Sequence, residues 1–382
     1  MTAPKLRFKE FDGDWTLQNL GDSFSLISGY AFPSSSSVDV GARWLKIADV
    51  GIQEMTPNNP SYLPLEYLDK YSQFIVSKND YVIALTRPIL NKKLKIAKVG
   101  ELYDGALLNQ RVAKIYSKTK DLDFIYSLLQ KSKTVEELEN SIAGTDPPNL
   151  SLNDVKEIKL GFPSKEEQMK IASFLSAVDE KISQLTRKHQ LLSQYKQGMM
   201  QKLFSQQIRF KADDGSEFEE WEILKFKDVI TIKYGKDHKK LKDGNIPVLG
   251  TGGIMRYVES YLYDGESILI GRKGTIDKPQ FISGKFWTVD TLFYTEIGEK
   301  IRPKFAFQQL LLVNWLNLNE ATGVPSLNTT SIGNIELKVP CLEEQTKIAN
   351  FLSAIDQKIE VVAQQIEQAK QWKKGLLQQM FV

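Results

Sequence analysis

The sequence predicts an α+β chain written twice: two globular α/β modules separated by two long helices, which form an antiparallel intramolecular coiled coil with pseudo-twofold symmetry. Three observations predict it. "EEQMKIASFLSAVDEKI" (Glu166 to Ile182) returns as "EEQTKIANFLSAIDQKI" (Glu343 to Ile359), and the match runs without a gap from Pro163 to Phe204 in one copy and from Pro340 to Phe381 in the other. The phrase before each helix repeats at the same offset, as "PNLSLNDVKEIKLGFP" and "PSLNTTSIGNIELKVP". Each half also opens on a similar phrase, "LRFKEFDGDW" (Leu6 to Trp15) and "IRFKADDGSEFEEW" (Ile208 to Trp221).

The order is therefore module (1–163), helix (164–206), module (207–340), helix (341–382). Between the shared phrases, residues 16–147 and 222–324 do not align. A duplicated scaffold with diverged globular parts is the pattern expected of one support that carries two different readers.

Each long helix has start signals. Pro163 ends the preceding strand, Ser164 is placed to cap the first helix, and Glu166 and Glu167 occupy its first turn, where the helix dipole favours negative charge. The second helix has Cys341 at the capping place and keeps Glu343 and Glu344. Apolar residues then recur in steps of four and three, which is the spacing of a coiled-coil seam. In the first copy the seam is Ile171, Leu175, Val178, Ile182, Leu185 and Leu192; in the second it is Ile348, Leu352, Ile355, Ile359, Val362 and Ile366. Lys196 and Lys373 take equivalent seam positions, and His189 stands on the seam in one copy only. Polar seam residues fix register at some cost in stability. A lone rod would leave the seam wet, and the second module returns the chain to the far end, so the two copies are expected to pair antiparallel.

Within the modules, "YVIALTRPIL", "ALLNQRVAKIY" and "SILIGRKG" read as short β runs. "DLDFIYSLLQK" and "KFAFQQLLLVNWLN" read as helices leading into each closing phrase.

Composition excludes several classes. With 382 residues and 42% hydrophobic content the chain suits two or three soluble domains. A single cysteine rules out an intrachain disulfide framework, and two histidines far apart leave no metal-ligand spacing, so neither a metal nor a cofactor is expected. "MTAPKLRFKEF" has no apolar run after it, and no stretch approaches about 18 apolar residues, so neither a signal peptide nor a membrane span is expected. These features suit the cytoplasm.

Three motifs hint at catalysis and fall short. "TDPPNL" (Thr145 to Leu150) resembles the Asp/Asn-Pro-Pro-aromatic turn of amino-methyltransferases, but Asn149 stands where the aromatic would stack on a base. No glycine-rich cofactor turn accompanies it, and Asp-Pro-Pro-Asn is a strong turn signal in its own right. "GTGG" (Gly250 to Gly253) and "GRKGT" (Gly271 to Thr275) match neither a P-loop nor a dinucleotide fingerprint, although glycine-turn amides can cradle any phosphate. Nucleotide hydrolysis is therefore unsupported.

The net charge of +3 makes no case for a polyanion, but the local runs do. Lys233, Lys236, Lys239 and Lys240 crowd around His238, and Arg272 and Lys273 follow. The first module has Arg87, Lys92, Lys93 and Arg111. Ser34, Ser35, Ser36, Asn109, Gln110, Thr251, Gly252 and Thr275 add hydrogen-bonding groups for phosphates or base edges. Comparable basic loops in both modules, on a chain nearly neutral overall, point to two polyanion-binding faces.

At this level of detail the chain resembles the specificity subunit of type I restriction-modification systems. The resemblance rests on the opening and closing phrases, the duplicated "EEQxKIAxFLSAxDxKI", and "GNIPVLGTGG", "GRKGTI" and "FWTVDTLFYT" in the second module. It covers essentially the whole chain, with Asp277 standing where a glycine would be expected. It implies that each module is a target recognition domain for one half of a bipartite site in double-stranded DNA. It also implies that the helices set the spacing and dock two modification (methyltransferase) subunits, which restriction (translocase and nuclease) subunits join. Catalysis would then belong to those partners. A stand-alone DNA methyltransferase and a coiled-coil adaptor that does not touch DNA are the alternative readings.

Overall fold

A computed structural model describes residues 3–142 and 146–382. Its two long helices are Lys165–Phe204 and Leu342–Gln379. Two structural units emerge, Met1–Leu185 with Gln365–Val382, and Thr186–Gln364. Both boundaries fall inside the long helices. Each unit therefore holds the start of one helix and the end of the other, which is antiparallel pairing.

In unit 1, Ile171, Leu175 and Val178 enter a core with Trp15, Phe124 and Phe162, and Leu376, Met380 and Phe381 close that same core from the other helix. In unit 2, Ile348, Leu352 and Ile355 join Phe226, Phe305 and Trp315, and Met200, Leu203 and Phe204 close it. The seam thus does more than join the helices, because its first half is each module's own core face. Leu175 and Leu352 are fully buried, worth roughly 1.5–3 kcal/mol each. Leu185, Val362 and Ile366 are buried, and Ile182, Leu192 and Ile359 are half-buried.

The repeated phrases form one device in each unit. Ser164 Oγ accepts from the Glu167 backbone N–H at 3.3 Å, so it caps the first long helix as expected. Glu167 and Glu344 are buried and receive a two-pronged guanidinium from the opening phrase. Arg7 Nε and Nη2 both donate to Glu167 at 2.7 Å, and Arg209 donates to Glu344 at 3.1 and 2.7 Å. The indole N–H groups of Trp15 and Trp221 donate to the same carboxylates. Gln168 and Gln345, next along, donate to the Pro163 and Pro340 carbonyls at 3.0 and 2.8 Å. Their carbonyl oxygens accept from the backbones of Asp121 and Arg302, which precede the helices Leu122–Leu128 and Pro303–Leu310.

The unit 1 strands are β1 (Thr16–Asn19), β2 (Ser25–Ser28), β3 (Ala42–Leu45), β4 (Tyr62–Leu63), β5 (Ile75–Val76), β6 (Tyr81–Ala84), β7 (Ile89–Leu90), β8 (Lys93–Leu94), β9 (Ile96–Lys98), β10 (Ala106–Leu108), β11 (Val112–Tyr116) and β12 (Lys159–Phe162). Unit 2 has β13 (Glu222–Lys225), β14 (Ile230–Tyr234), β15 (Asp243–Gly250), β16 (Gly253–Val258), β17 (Tyr263–Asp264), β18 (Ser267–Gly271), β19 (Gln280–Ile282), β20 (Lys285–Thr288), β21 (Leu292–Ile297) and β22 (Glu336–Val339). The opening phrase pairs with the closing phrase in both units, as β1 with β12 and β13 with β22, antiparallel.

The regions that do not align share one topology. Unit 1 has sheets β2-β11-β6-β9 and β4-β3-β10-β5; unit 2 has β14-β21-β18-β19 and β16-β15-β20-β17. Strand directions agree too, down to a parallel pair in each unit, β3 with β10 and β15 with β20. "ALLNQRVAKIY", read above as one run, splits into β10 and β11 in different sheets. The break at Asn109–Arg111 is the corner where the chain changes layer, and Val289–Thr291 is the matching corner. In "KFAFQQLLLVNWLN" the helix ends at Leu310, and a 3₁₀ turn at Trp315–Leu318 follows.

Candidate nucleic-acid interface

In sheet β2-β11-β6-β9, β11 runs antiparallel to both β2 and β6. The ends of β2 and β6 therefore meet the start of β11 along one edge of unit 1. Gly29 follows β2 there, and a Cβ on it would lie 2.1 Å from the Leu108 carbonyl oxygen, so only glycine fits. That approach lets Tyr30 N–H donate to Leu108 and lets Gln110 N–H donate to Tyr30, both at 3.0 Å. Asn109 Oδ1 accepts from Arg111 N–H at 3.0 Å, which tightens the corner. The Arg111 carbonyl accepts from Leu85 N–H at 2.9 Å, and the next residues bring Arg87 alongside in a left-handed conformation, φ 46°.

Arg87, Asn109, Gln110 and Arg111 are thus gathered at one sheet end. Lys92 and Lys93 stand at the exposed turn of the β7–β8 hairpin, where Asn91 and Lys92 both have positive φ, the geometry of a tight hairpin turn. Ser34–Ser36 form a single 3₁₀ turn, with Ser36 Oγ 3.3 Å from the hydroxyl of Tyr67, whose ring packs on Tyr71. Tyr30 was missed from sequence. It is 40% exposed, its ring lies 4.7 Å from Tyr71, 5.1 Å from Phe32 and 5.6 Å from Phe74, and no charge run marks it.

Unit 2 builds the same edge with different chemistry. Gly235 follows β14, and its absent Cβ would meet the Val289 carbonyl oxygen at 2.0 Å. Lys236 N–H donates to the Thr288 carbonyl at 2.8 Å, so Lys236 stands where Tyr30 stands in unit 1. Arg272 and Lys273 N–H groups both donate to the Thr291 carbonyl. The Arg272 guanidinium lies 5.5 Å from the Tyr234 ring centroid and donates to the Asp290 carbonyl at 3.2 Å. The "GRKGT" loop folds back so tightly that a Cβ on Gly271 would lie 2.1 Å from the Thr275 carbonyl oxygen. The "GTGG" turn sits beside it: Thr251 Oγ1 is 3.9 Å from the place of a Cβ on Gly274, and Gln280 donates to the Thr251 carbonyl at 3.5 Å.

Lys236, Thr251, Gly252, Arg272, Lys273 and Thr275 therefore come together. Lys233 points elsewhere and pairs with Glu296 at 3.2 Å. His238, Lys239 and Lys240 lie on the loop that carries the chain away toward the start of β15, where the His238 carbonyl accepts from Leu241 N–H. The run of lysines in sequence is not one patch in space.

The Pro-Pro turn has a structural role. Arg87 N–H donates to the Pro148 carbonyl and Leu150 N–H to the Leu85 carbonyl, both at 2.7 Å, which clasps the end of β6. The second unit repeats the clasp with Gly274 to Pro325 and Leu327 to Arg272, both at 2.9 Å. Asn149 Oδ1 accepts from the Thr86 hydroxyl at 2.7 Å. Thr145 of the same motif lies outside the described residues.

Residues 13–193 and 218–371 match the family model described as the type I restriction modification DNA specificity domain. The type I restriction enzyme MjaVIII specificity subunit of Methanocaldococcus jannaschii is 31% identical over 209 residues, covering 54% of this chain and 49% of that protein. The chain thus spans about half the length of that relative. The MjaIX specificity subunit of the same organism is 21% identical over 415 residues, covering 97% of this chain and 94% of that protein. In fold, the chain is similar to the crystal structure of a type I restriction-modification S subunit from M. genitalium, with a TM-score of 0.69 at 18% identity, over 100% of this chain and 99% of that one.

Proposed function

Because this chain belongs to the type I restriction modification DNA specificity family, we propose that it is the DNA-recognition subunit of a type I restriction-modification complex. The modules at 1–163 and 207–340 each read one half of a bipartite, asymmetric site in double-stranded DNA. The helices at 164–206 and 341–382 set the distance between the half-sites and dock two modification subunits, and restriction subunits join that core. This chain positions the complex, and its partners methylate, translocate and cut. It works in the cytoplasm, and among the described residues no helix is long and apolar enough to cross a membrane.

One observation carries the reading. Two frames agree in both four-stranded sheets and end in unlike side chains at matching places: Tyr30 against Lys236, Gln110 against Asp290, Arg111 against Thr291 and Arg87 against Gly274. A shared frame with exchanged contact groups suits two readers of different sequences. Lysines and arginines at these ends set register on phosphates, while amides and guanidinium groups discriminate base edges.

Methylome sequencing of cells carrying this chain with its modification and restriction subunits tests the proposal. It should return one asymmetric bipartite motif, and exchange of residues 16–147 for another family member's module should change one half only. A palindromic motif, or a change in both halves, contradicts independent readers. Methyl transfer by the purified chain alone favours the methyltransferase. DNA binding by the complex should weaken with salt at a slope of about 0.9 per phosphate contact, and no binding would favour the adaptor.

A further inference from the structure

The β15–β16 hairpin of unit 2 presents apolar side chains where a DNA-facing edge would be expected to present polar ones. Ile254 is 56% exposed and Met255 is 60% exposed, one and two residues past the "GTGG" turn. β16 is an edge strand, and free edges are usually guarded by charge, proline or a bulge. This edge carries Arg256, paired with Asp243 at 2.6 Å, and a register shift, and beside them it exposes Ile254, Met255 and Tyr257.

The tip is also slim. Gly253 takes φ 109°, the pairing shifts register between Val248 and Leu249, and Gly250 lacks the Cβ that would lie 2.8 Å from Met255 Sδ. The glycine leaves room for the methionine to lie across the turn. Around it stand Thr251, Gln280 and the "GRKGT" loop with Lys273 and Arg272. An apolar tip beside cations complements a polyanion with a stacked apolar interior.

We propose that Ile254 and Met255 form a wedge that enters the duplex between base pairs and unstacks one step in the half-site read by unit 2. The inference rests on the DNA-recognition reading above and adds a distortion that this reading does not require. Small apolar side chains that enter between base pairs offset a few kcal/mol of unstacking with wider protein contact, and the step then adds to selectivity through its own stiffness. Methionine suits the place because its flexible thioether fills irregular gaps. At the matching place unit 1 shows no such tip among the described residues. The equivalent connection, residues 46–61, folds back onto the module, with Gln53 N–H donating to the Ile96 carbonyl and Lys95 Nζ to the Ile47 carbonyl. The distortion is therefore confined to one half-site.

The test places 2-aminopurine at each step that does not adjoin the methylated base of either half, in a duplex carrying the methylome-derived site, bound by the full chain with its modification subunits. Fluorescence should rise several-fold at one step of the unit 2 half-site and stay at the free-duplex level throughout the other half. The double variant Ile254→Ala, Met255→Ala should abolish the rise and weaken binding about tenfold, and a mismatch at that step, which unstacks it in advance, should restore most of the affinity. Both side chains are exposed, so the variant should fold and assemble as the parent does. A bound duplex with no bright step, or a bright step that survives in the variant, overturns the wedge. So does loss of modification-subunit assembly in the variant, which would make the tip a protein contact. Failure of the parent complex to bind DNA at all would overturn the proposed function itself.

Discussion

Lys373 Nζ lies 2.6 Å from Asp179 Oδ1 in unit 1, and Lys196 Nζ lies 2.6 Å from Asp356 Oδ1 in unit 2. Asp179 and Asp356 are repeat equivalents, and so are Lys196 and Lys373. Each helix therefore gives an aspartate to the other helix's lysine and a lysine to its aspartate, the reciprocity of a twofold interface written into one chain.

The two pairs are unequal in depth. The Lys373 side chain is 5% exposed and also donates to Gln130 at 2.8 Å and Gln53 at 3.3 Å, whereas Lys196 is 13% exposed. Removing one partner of a buried pair costs about 3–5 kcal/mol, and surface pairs cost about 0–1. Because Asp179 is partly exposed, Lys373→Ala should cost about 2–3 kcal/mol in urea unfolding of the full chain, and Lys196→Ala about 1 kcal/mol. Equal losses would show that the extra amide partners contribute nothing.

Burial lowers the Lys373 pKa, and Asp179 opposes that shift only in part. A lysine whose folded pKa lies below its unfolded value of 10.5 binds fewer protons in the folded state between the two values. Stability from this group should therefore rise as pH climbs through the folded pKa toward 10.5, and should be lower on the acid side of that window. Lys373→Met should remove this alkaline rise. Urea midpoints from neutral pH up to the unfolded pKa check it, and a rise that persists in the variant assigns it to other groups.

Glu343 and Glu344 share a first helical turn and should behave differently. Glu344 is fully buried under Arg209 and the Trp221 indole, whereas Glu343 is exposed. Glu344→Ala should cost about 2–4 kcal/mol, because it leaves a guanidinium and an indole N–H without their acceptor. Glu343→Ala should cost no more than about 0.5 kcal/mol. Thermal unfolding of the two variants separates a buried anchor from a dipole effect.

Asp146 tests the catalytic reading of the Pro-Pro turn. It is exposed, and the backbone clasp around it uses Pro148 and Leu150. Asp146→Ala in the assembled complex should leave the methylation rate within about twofold, far short of the 10²–10⁴-fold typical of a lost general acid or base. A larger fall, with the complex intact, would return the motif to the chemistry.

The long helices were legible because heptad spacing and a closely repeated phrase are local signals. The shared sheet topology was not. Short strands such as β4, β5 and β17 carry two residues each, too few for a period, and their pairing is set by distant partners. Gly29 and Gly235 do equivalent work, yet one glycine amid unlike neighbours gives no alignment. Charge runs singled out Arg87, Lys236, Arg272 and Lys273, which the fold brings to the two sheet ends. They also picked Lys233, which the fold pairs with Glu296 from far along the chain, and they gave no sign of Tyr30, an uncharged residue placed by a backbone crossing.

Gly29 and Gly235 let each half be disabled alone. In both, an added Cβ would press on backbone carbonyl oxygen within about 2 Å, and backbone cannot swing aside as a long side chain can. Gly29→Ala should displace the Tyr30 strap from Leu108 and cost about 1–3 kcal/mol locally, while the core around Trp15 and the long helices is preserved. Binding competition with duplexes scrambled in one half-site at a time gives the readout. The Gly29→Ala complex should lose discrimination in the half read by unit 1 and keep the full penalty for scrambling the other, and Gly235→Ala should show the mirror pattern. If either substitution degrades both halves equally, the two edges do not act as separate readers.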